Sequence, residues 1–298
     1  MPRVLCVGHA VHDFVFSMPE LPLGGRKHRA DGFTSIGGGP AATAAVAIAR
    51  LGAEVWLAAR LGDDAIATLI QEELQHFGVR CEHLRRHPGC RSSVSAVVVD
   101  RHAERMIVNY LDPSLPEEAN WLPDPGTLGV AAVLADSRWP QGARFALDAA
   151  RRAGIPAVLD ADRPVPPDQS LLRAASHVAF SADALADLTG EADPAAGLRA
   201  AGRMTDAWCA VTIGAGGVLI AAGDRIEVSP GFALQAVDTL GAGDVWHGAF
   251  ALRLAEGANE QDACRFASAA AALKVQRAGG RAGAPLRSDV QQLLEQNG

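Results

Sequence analysis

Residues 238–250 read DTLGAGDVWHGAF. A Gly-Ala-Gly run stands between two aspartates, where a segment of helical character begins. The first turn of a helix leaves N–H groups unpaired and favours negative charge. A glycine-rich approach lets several of those groups converge on one anion. Asp244, itself an anion, stands at the same turn. The two fit together if the Gly241, Ala242 and Gly243 amides hold the oxygens of a transferring phosphoryl group while Asp244 takes the proton of the attacking hydroxyl. The helix dipole would then favour the ionised carboxylate that a base needs. An N-cap aspartate after a flexible turn has the same short pattern, so the surroundings decide.

Upstream, WCAVTIGAGGVLI puts Thr212, Gly214 and Gly217 at a strand end, where open parallel sheets bind ligands. IGAGG is not a dinucleotide fingerprint: its third glycine is misplaced, and the hairpin-like GVLIAAGDRIEV follows instead of a helix. Downstream, RFASAAAALKVQRAGGRAGAP reads as a helix of small residues and a Gly-rich loop. Small side chains let a flat ring pack close, which suits an adenine.

Further out, RVLCVGHAV, EVWLAARLG, GVAAVLAD, IPAVLDAD, HVAFS and WCAVTIG are short apolar runs. Helical patterns such as DAIATLIQEELQHFG, QGARFALDAARRAG and DALADLTG lie among them. This alternation predicts an α/β fold, a mostly parallel sheet with helices on both faces. Two β-patterned pieces, about 12–36 and 91–112, interrupt the order and read as a small β lid. DRPVPPDQS reads as a loop. His83 and His87 have the spacing of a helical metal pair, but no third ligand is evident and two arginines separate them; a surface segment is expected. His247 is expected to pack rather than react.

Composition narrows the class. The chain has 298 residues, 49% hydrophobic and only 5% aromatic, so Ala, Val and Leu must build the core. The net charge of −7 comes with scattered Lys and Arg, which argues against nucleic acid as a partner. The first residues lack the length and cleavage site of a signal peptide, and no apolar run reaches membrane-spanning length. Five cysteines without a CxxC pair suit reduced thiols, and a cytoplasmic location is expected.

DTLGAGDVWHGAF and GGGPAATAAVAIARLGAEVWLAARLGDDAIA resemble the two signatures of the ribokinase-like (PfkB) carbohydrate kinases. GHAVHDF and VTIGAGG are similar to that family's opening strand and nucleotide strand. The resemblance covers essentially the whole chain in order. It implies a single ribokinase-like kinase domain over 1–298, ATP and Mg2+ as cofactors, and a homodimer joined through the lid, with Val97, Val99 and Ile107 exposed there. It implies that Asp13 and Gly37, Gly38 and Gly39 hold sugar hydroxyls, that Asp244 is the base, and that Thr212, Gly214 and Gly217 meet the nucleotide. Asp238 and the 275–283 loop would form a monovalent-cation (K+) site.

Longer stretches, GGGPAATAAVAIARLGA, ERMIVNYLDPS, VLADSRW and RAGGRAGAP, are similar to kinases acting on a sulfonated ketohexose. This closer resemblance implies phosphorylation of the C1 hydroxyl of 6-deoxy-6-sulfofructose, with Lys27, Asn109 and Arg138 facing the sulfonate. An ammonium, an amide and a guanidinium fork suit its oxygens. Fructose 6-phosphate, fructose, ribose or a nucleoside remain alternatives, as does a non-catalytic sugar-binding protein of the same fold. The chain departs from the family pattern twice. The Asn-x-x-Glu that helps place Mg2+ is replaced by SADA, with Ser181 and Ala184 at its ends, and an asparagine of the first signature is Ala42.

Overall fold

The computed structural model describes residues 1–102, 104–163, 165 and 168–297. Its first half runs β1 (Arg3–Gly8), β2 (Val11–Ser17), β3 (Gly32–Gly38), α1 (Pro40–Arg50), β4 (Glu54–Gly62), α2 (Ala65–His76), β5 (Arg80–His87), β6 (Ser93–Val99), β7 (Arg105–Tyr110), α3 (Pro125–Leu128), β8 (Ala132–Asp136) and α4 (Pro140–Arg152). Next come β9 (Ala157–Ala161), α5 (Ser170–Ala174), β10 (His177–Ser181), α6 (Ala182–Thr189), α7 (Pro194–Ala201), β11 (Trp208–Thr212), β12 (Val218–Ala222) and β13 (Arg225–Ser229). Three helices close the chain: α8 (Ala242–Ala255), α9 (Glu260–Val275) and α10 (Arg287–Gln296).

Nine strands form the main sheet in the order β13-β12-β11-β10-β9-β8-β1-β4-β5. Pairs from β5 to β11 are parallel, and β12 and β13 add an antiparallel hairpin at one edge. The central strands are buried along their length, as apolar runs covered on both faces must be. One core lies between the sheet and α1, α8 and α9; the other lies under α4, α5 and α7. Strand order changes direction at β1, and ligands bind outside the carboxyl ends beside such a switch.

The Ala-rich α1 lets α8 approach very closely. A Cβ on Gly248 would lie 2.6 Å from the Ala44 carbonyl oxygen. This crossing sets the N-termini of α1 and α8, with their two glycine motifs, side by side. Gly248→Val is expected to lower stability by about 1–3 kcal/mol, the usual cost of overpacking a core. A denaturation midpoint unchanged by it would mean the two helices can part freely.

The second sheet, β3-β2-β6-β7, is the expected lid. Three details bear on the sequence reading. RCEHLRRH is the edge strand β5, with Arg80, Glu82, Arg85 and Arg86 exposed at the surface, so His83 and His87 do not have helical spacing but lie roughly 13 Å apart along it and His87 is buried; they cannot share a metal. Lys27 sits within the first lid piece, in the loop between β2 and β3, and is exposed. Val97 is 1% exposed and faces the cleft, whereas Phe33, Met106, Ile107, Val108 and Tyr110 are open to solvent. Of the Pro-rich loop, Pro164, Pro166 and Pro167 lie outside the described residues. All five cysteines are free, and all but Cys90 are buried. No helix among the described residues is long and apolar enough to cross a membrane.

Candidate active site

Gly241 caps α8 in the left-handed region, with φ +78°, a conformation that costs glycine little. The Ala242 amide turns back to the Thr239 carbonyl at 3.2 Å. It is therefore not one of the free donors that the sequence suggested. Among the described residues, the amides of Gly241, Gly243 and Asp244 have no hydrogen-bond partner. They stand at the positive end of a 14-residue helix, an arrangement that can hold an anion.

A cavity of about 390 Å3 leads away from these amides. Thr212, Gly214 and Gly217 line one side of it, at the end of β11. Ser268, Ala271 and Ala272 of α9 line the other, the small-residue wall expected for a flat ring. Gly217 and Gly231 let two backbones nearly touch at its rim: a Cβ on Gly217 would lie 2.5 Å from the Gly231 nitrogen.

On the other side of the amides lies a cluster of carboxylates from the strand ends. Asp136 is fully buried and accepts the amides of His9 at 2.7 Å, Ala41 at 3.1 Å and Arg138 at 2.9 Å. It thus ties β1, α1 and β8 together at the switch. Arg138 donates two hydrogen bonds of 2.7 Å to Asp162. It is neither a surface charge nor a free cation. Asp160 is fully buried, which pushes its pKa well up, and lies 3.4 Å from His247. His247 packs beneath the α8 start, in contact with the Gly243 and Ala179 carbonyl oxygens.

Asp244 keeps part of its surface open to the cleft. Its pKa is pushed up to about 7, by desolvation first and then by Asp162, with Arg138 opposing. Asp136 and Asp13 add to the rise. This corrects the expectation that the helix dipole would keep it readily ionised. Removal from water and three neighbouring carboxylates outweigh a dipole worth at most about 2 kcal/mol.

Asp13 projects from β2 beside the Gly37-Gly38-Gly39 run. A Cβ on Gly38 would lie 2.1 Å from Asp13 Oδ2, and one on Gly37 would lie 1.6 Å from the Arg281 guanidinium. Gly39 starts α1 at φ +92°. These glycines admit two polar groups under the lid, which explains the motif. Arg281 is 1% exposed and pairs with Glu73 at 3.1 Å; no sequence pattern singled it out. Asn109, on β7, donates to Ser93 Oγ, the Val94 carbonyl and Ser95 Oγ. Ser93 Oγ also meets His9 Nε2 at 3.2 Å. Burial and the charges of Arg138, Arg60 and Arg163 bring the His9 pKa down to about 3. Asn109 and Arg138 therefore belong to one corner of the cleft. Among the described residues, no hydrogen bond or ion pair joins Lys27 to it.

Two further expectations concern ions. Ser181 caps α6, accepting the Ala184 amide at 3.1 Å, and Ala184 offers no ligand. Among the described residues no group of three or more His, Cys, Asp or Glu could hold a metal, so these side chains do not by themselves fit a protein-held Mg2+. Asp238 accepts the amides of Leu240 at 2.9 Å and Gly280 at 3.0 Å and bonds Lys274. Ala42 is buried in the apolar core, with no polar group where the family has an amide. The lid touches the anion loop through Arg105, whose Nη1 donates to Thr239 Oγ1 at 3.2 Å.

The sequence and fold match known proteins over nearly their full lengths. The family described as pfkB family carbohydrate kinase matches residues 1–287. A ribokinase of Bacillus subtilis is 29% identical over 99% of this chain and 100% of its own. The structure of a protein from Agrobacterium tumefaciens, provisionally named a ribokinase, superposes with TM-score 0.93 at 36% identity, covering 99% of this chain and 98% of that one. The structure of Arabidopsis thaliana ribokinase complexed with ribose and ATP gives TM-score 0.85 at 27% identity, over 99% and 98% of the two chains. With the glycine-capped α8, the carboxylate beside it and the cavity at the end of β11 in place, the chain belongs to the pfkB family of carbohydrate kinases, enzymes that transfer a phosphoryl group to a sugar hydroxyl.

Proposed function

We propose that the whole chain acts as one kinase domain that uses ATP to phosphorylate the C1 hydroxyl of 6-deoxy-6-sulfofructose. The observation that carries the anionic sugar is the corner around His9. There Asn109 meets His9 through Ser93, and the positive charges of Arg138, Arg60 and Arg163, the first paired with Asp162 and the second with Glu117, act on that buried imidazole. That corner would suit a negative group on the sugar. Asp13 and the Gly37–Gly39 run would take the hydroxyls, and Lys27 would reach the sulfonate only by movement of its loop. Thr212, Gly214 and Gly217 would hold the nucleotide, and Mg2+ would arrive on its phosphates. Asp244 takes the C1 proton, the freed oxygen bonds to the γ-phosphorus, and the bond to the ADP oxygen breaks. The Gly241, Gly243 and Asp244 amides hold the γ-oxygens meanwhile.

A substrate screen with ATP, comparing sulfofructose, fructose 6-phosphate, fructose and ribose, tests this reading. The expected order puts sulfofructose first in kcat/KM. A preference for ribose, the sugar bound to the Arabidopsis relative, would remove the sulfonate reading, and a preference for fructose 6-phosphate would leave only an anion-selective corner.

We also infer a homodimer formed through the outer lid faces. Phe33 is 59% exposed, Val108 63% and Tyr110 45%, on opposite edge strands of the lid with half-buried Phe16 and Val98 between them, an apolar face that a lone subunit rarely shows. Val108→Asp should convert a dimer to a monomer in light scattering. A wild type that is monomeric at micromolar concentration would refute the pairing.

A further inference from the structure

The monovalent-cation site implied by the family resemblance does not fit these residues, because the chain places its own cation there. Lys274, in the last turn of α9, is 0% exposed. Its Nζ lies 2.8 Å from the Asp238 carbonyl oxygen, 3.0 Å from Asp238 Oδ2 and 3.4 Å from the Arg277 carbonyl oxygen. A full charge without water must find oxygens or lose its proton, and these three serve. The α9 carboxyl end adds its negative dipole.

The ammonium fastens three segments. The Val275 carbonyl accepts the amides of Val237 and Asp238, joining the α9 end to the strand of chain that leads into α8. The Asp238 carboxylate fixes the Leu240 and Gly280 amides. Burial alone would raise the Asp238 pKa, but those two amides and Lys274 hold it below the usual range. Arg105 of the lid and Asp244 both lie close enough to act on the charge of Lys274. The position of the unpaired amides at the start of α8 thus depends on a positive charge at one point.

We propose that Lys274 is a positioning residue, a covalently tethered cation that makes this kinase independent of free K+. The inference rests on the kinase reading, so its test includes a measurement that needs no turnover. Activity and melting temperature are compared in potassium chloride and in tetramethylammonium chloride, for wild type, Lys274→Ala and Lys274→Met. Wild type should be the same in both salts. Lys274→Ala should lose roughly 10²–10³-fold in kcat/KM in tetramethylammonium, the scale of leaving a buried charge partner alone, and regain most of it in potassium. Its melting temperature should rise with potassium, since an ion that binds only the folded state stabilises it. Lys274→Met fills the space and should respond to neither salt. Potassium activation of wild type overturns the proposal, as does an equal potassium response of the Ala and Met variants. If neither variant folds, the wild-type comparison still decides. If no sugar is phosphorylated, the melting temperatures still decide.

Discussion

Asp244→Asn should fold and bind nucleotide nearly as wild type does, yet lose roughly 10²–10⁴ in kcat, the range for removing a general base. Asparagine keeps the shape and takes away the proton acceptor. The structure adds a pH signature. The wild-type carboxyl titrates near 7 because it is desolvated and crowded by Asp162, Asp136 and Asp13. Only the deprotonated form accepts a proton, so kcat/KM should rise with pH through that region and fall below it. The variant should lack this limb. Near-normal turnover in the purified variant, or the same acid limb, would move the base elsewhere.

The second large effect concerns Arg138, and the structure divides it into two parts. Arg138 is the bidentate partner of Asp162, and Asp162 is the strongest charged neighbour raising the Asp244 pKa. Arg138→Ala strips Asp162 of its counter-charge and should push the acid limb upward for every sugar. On top of that common loss, a sulfonated sugar should lose a desolvated charge partner. Such losses typically cost about 2–5 kcal/mol, a factor of roughly 30 to several thousand. Adding Asp162→Asn should return fructose kinetics toward wild type while leaving sulfofructose impaired. Proportional loss for both sugars, fully repaired by the second change, would reduce Arg138 to a support for Asp162.

The element order and the place of the cleft were legible because they rest on local patterns. Apolar runs separated by helical periodicity gave the parallel sheet, and the glycine runs gave the starts of α1 and α8. β5 escaped because RCEHLRRH is an edge strand whose charged side chains show no apolar alternation. The candidate site could be read from residue type only in part. Asp244 and its glycine run stood out in that way, while Asp13 entered through the resemblance to the family. Asp136, Asp160 and Asp162 end ordinary-looking strands, and only the sheet order brings them together. Lys274 was hidden for another reason. Two of its three oxygen partners belong to backbone carbonyls, which leave no trace in a sequence. Lys27, within the lid piece read from the sequence, lies on the loop between its two strands.

Strand β7 serves two faces by alternation. Arg105, Ile107 and Asn109 share one face, where Arg105 and Asn109 bond Thr239 and Ser93, while Met106, Val108 and Tyr110 share the other and stand in the open. Because the side-chain repeat of a strand is two residues, replacing one residue in β7 alters one face alone. Losing or gaining a single residue would exchange the faces, sending hydrocarbon to the sugar and a guanidinium to the outside. Mutational drift in this strand should therefore be tolerant of substitution and intolerant of single-codon insertions and deletions. A deep scan that includes both kinds of change would show that contrast at β7 more sharply than in the loop that carries Lys27.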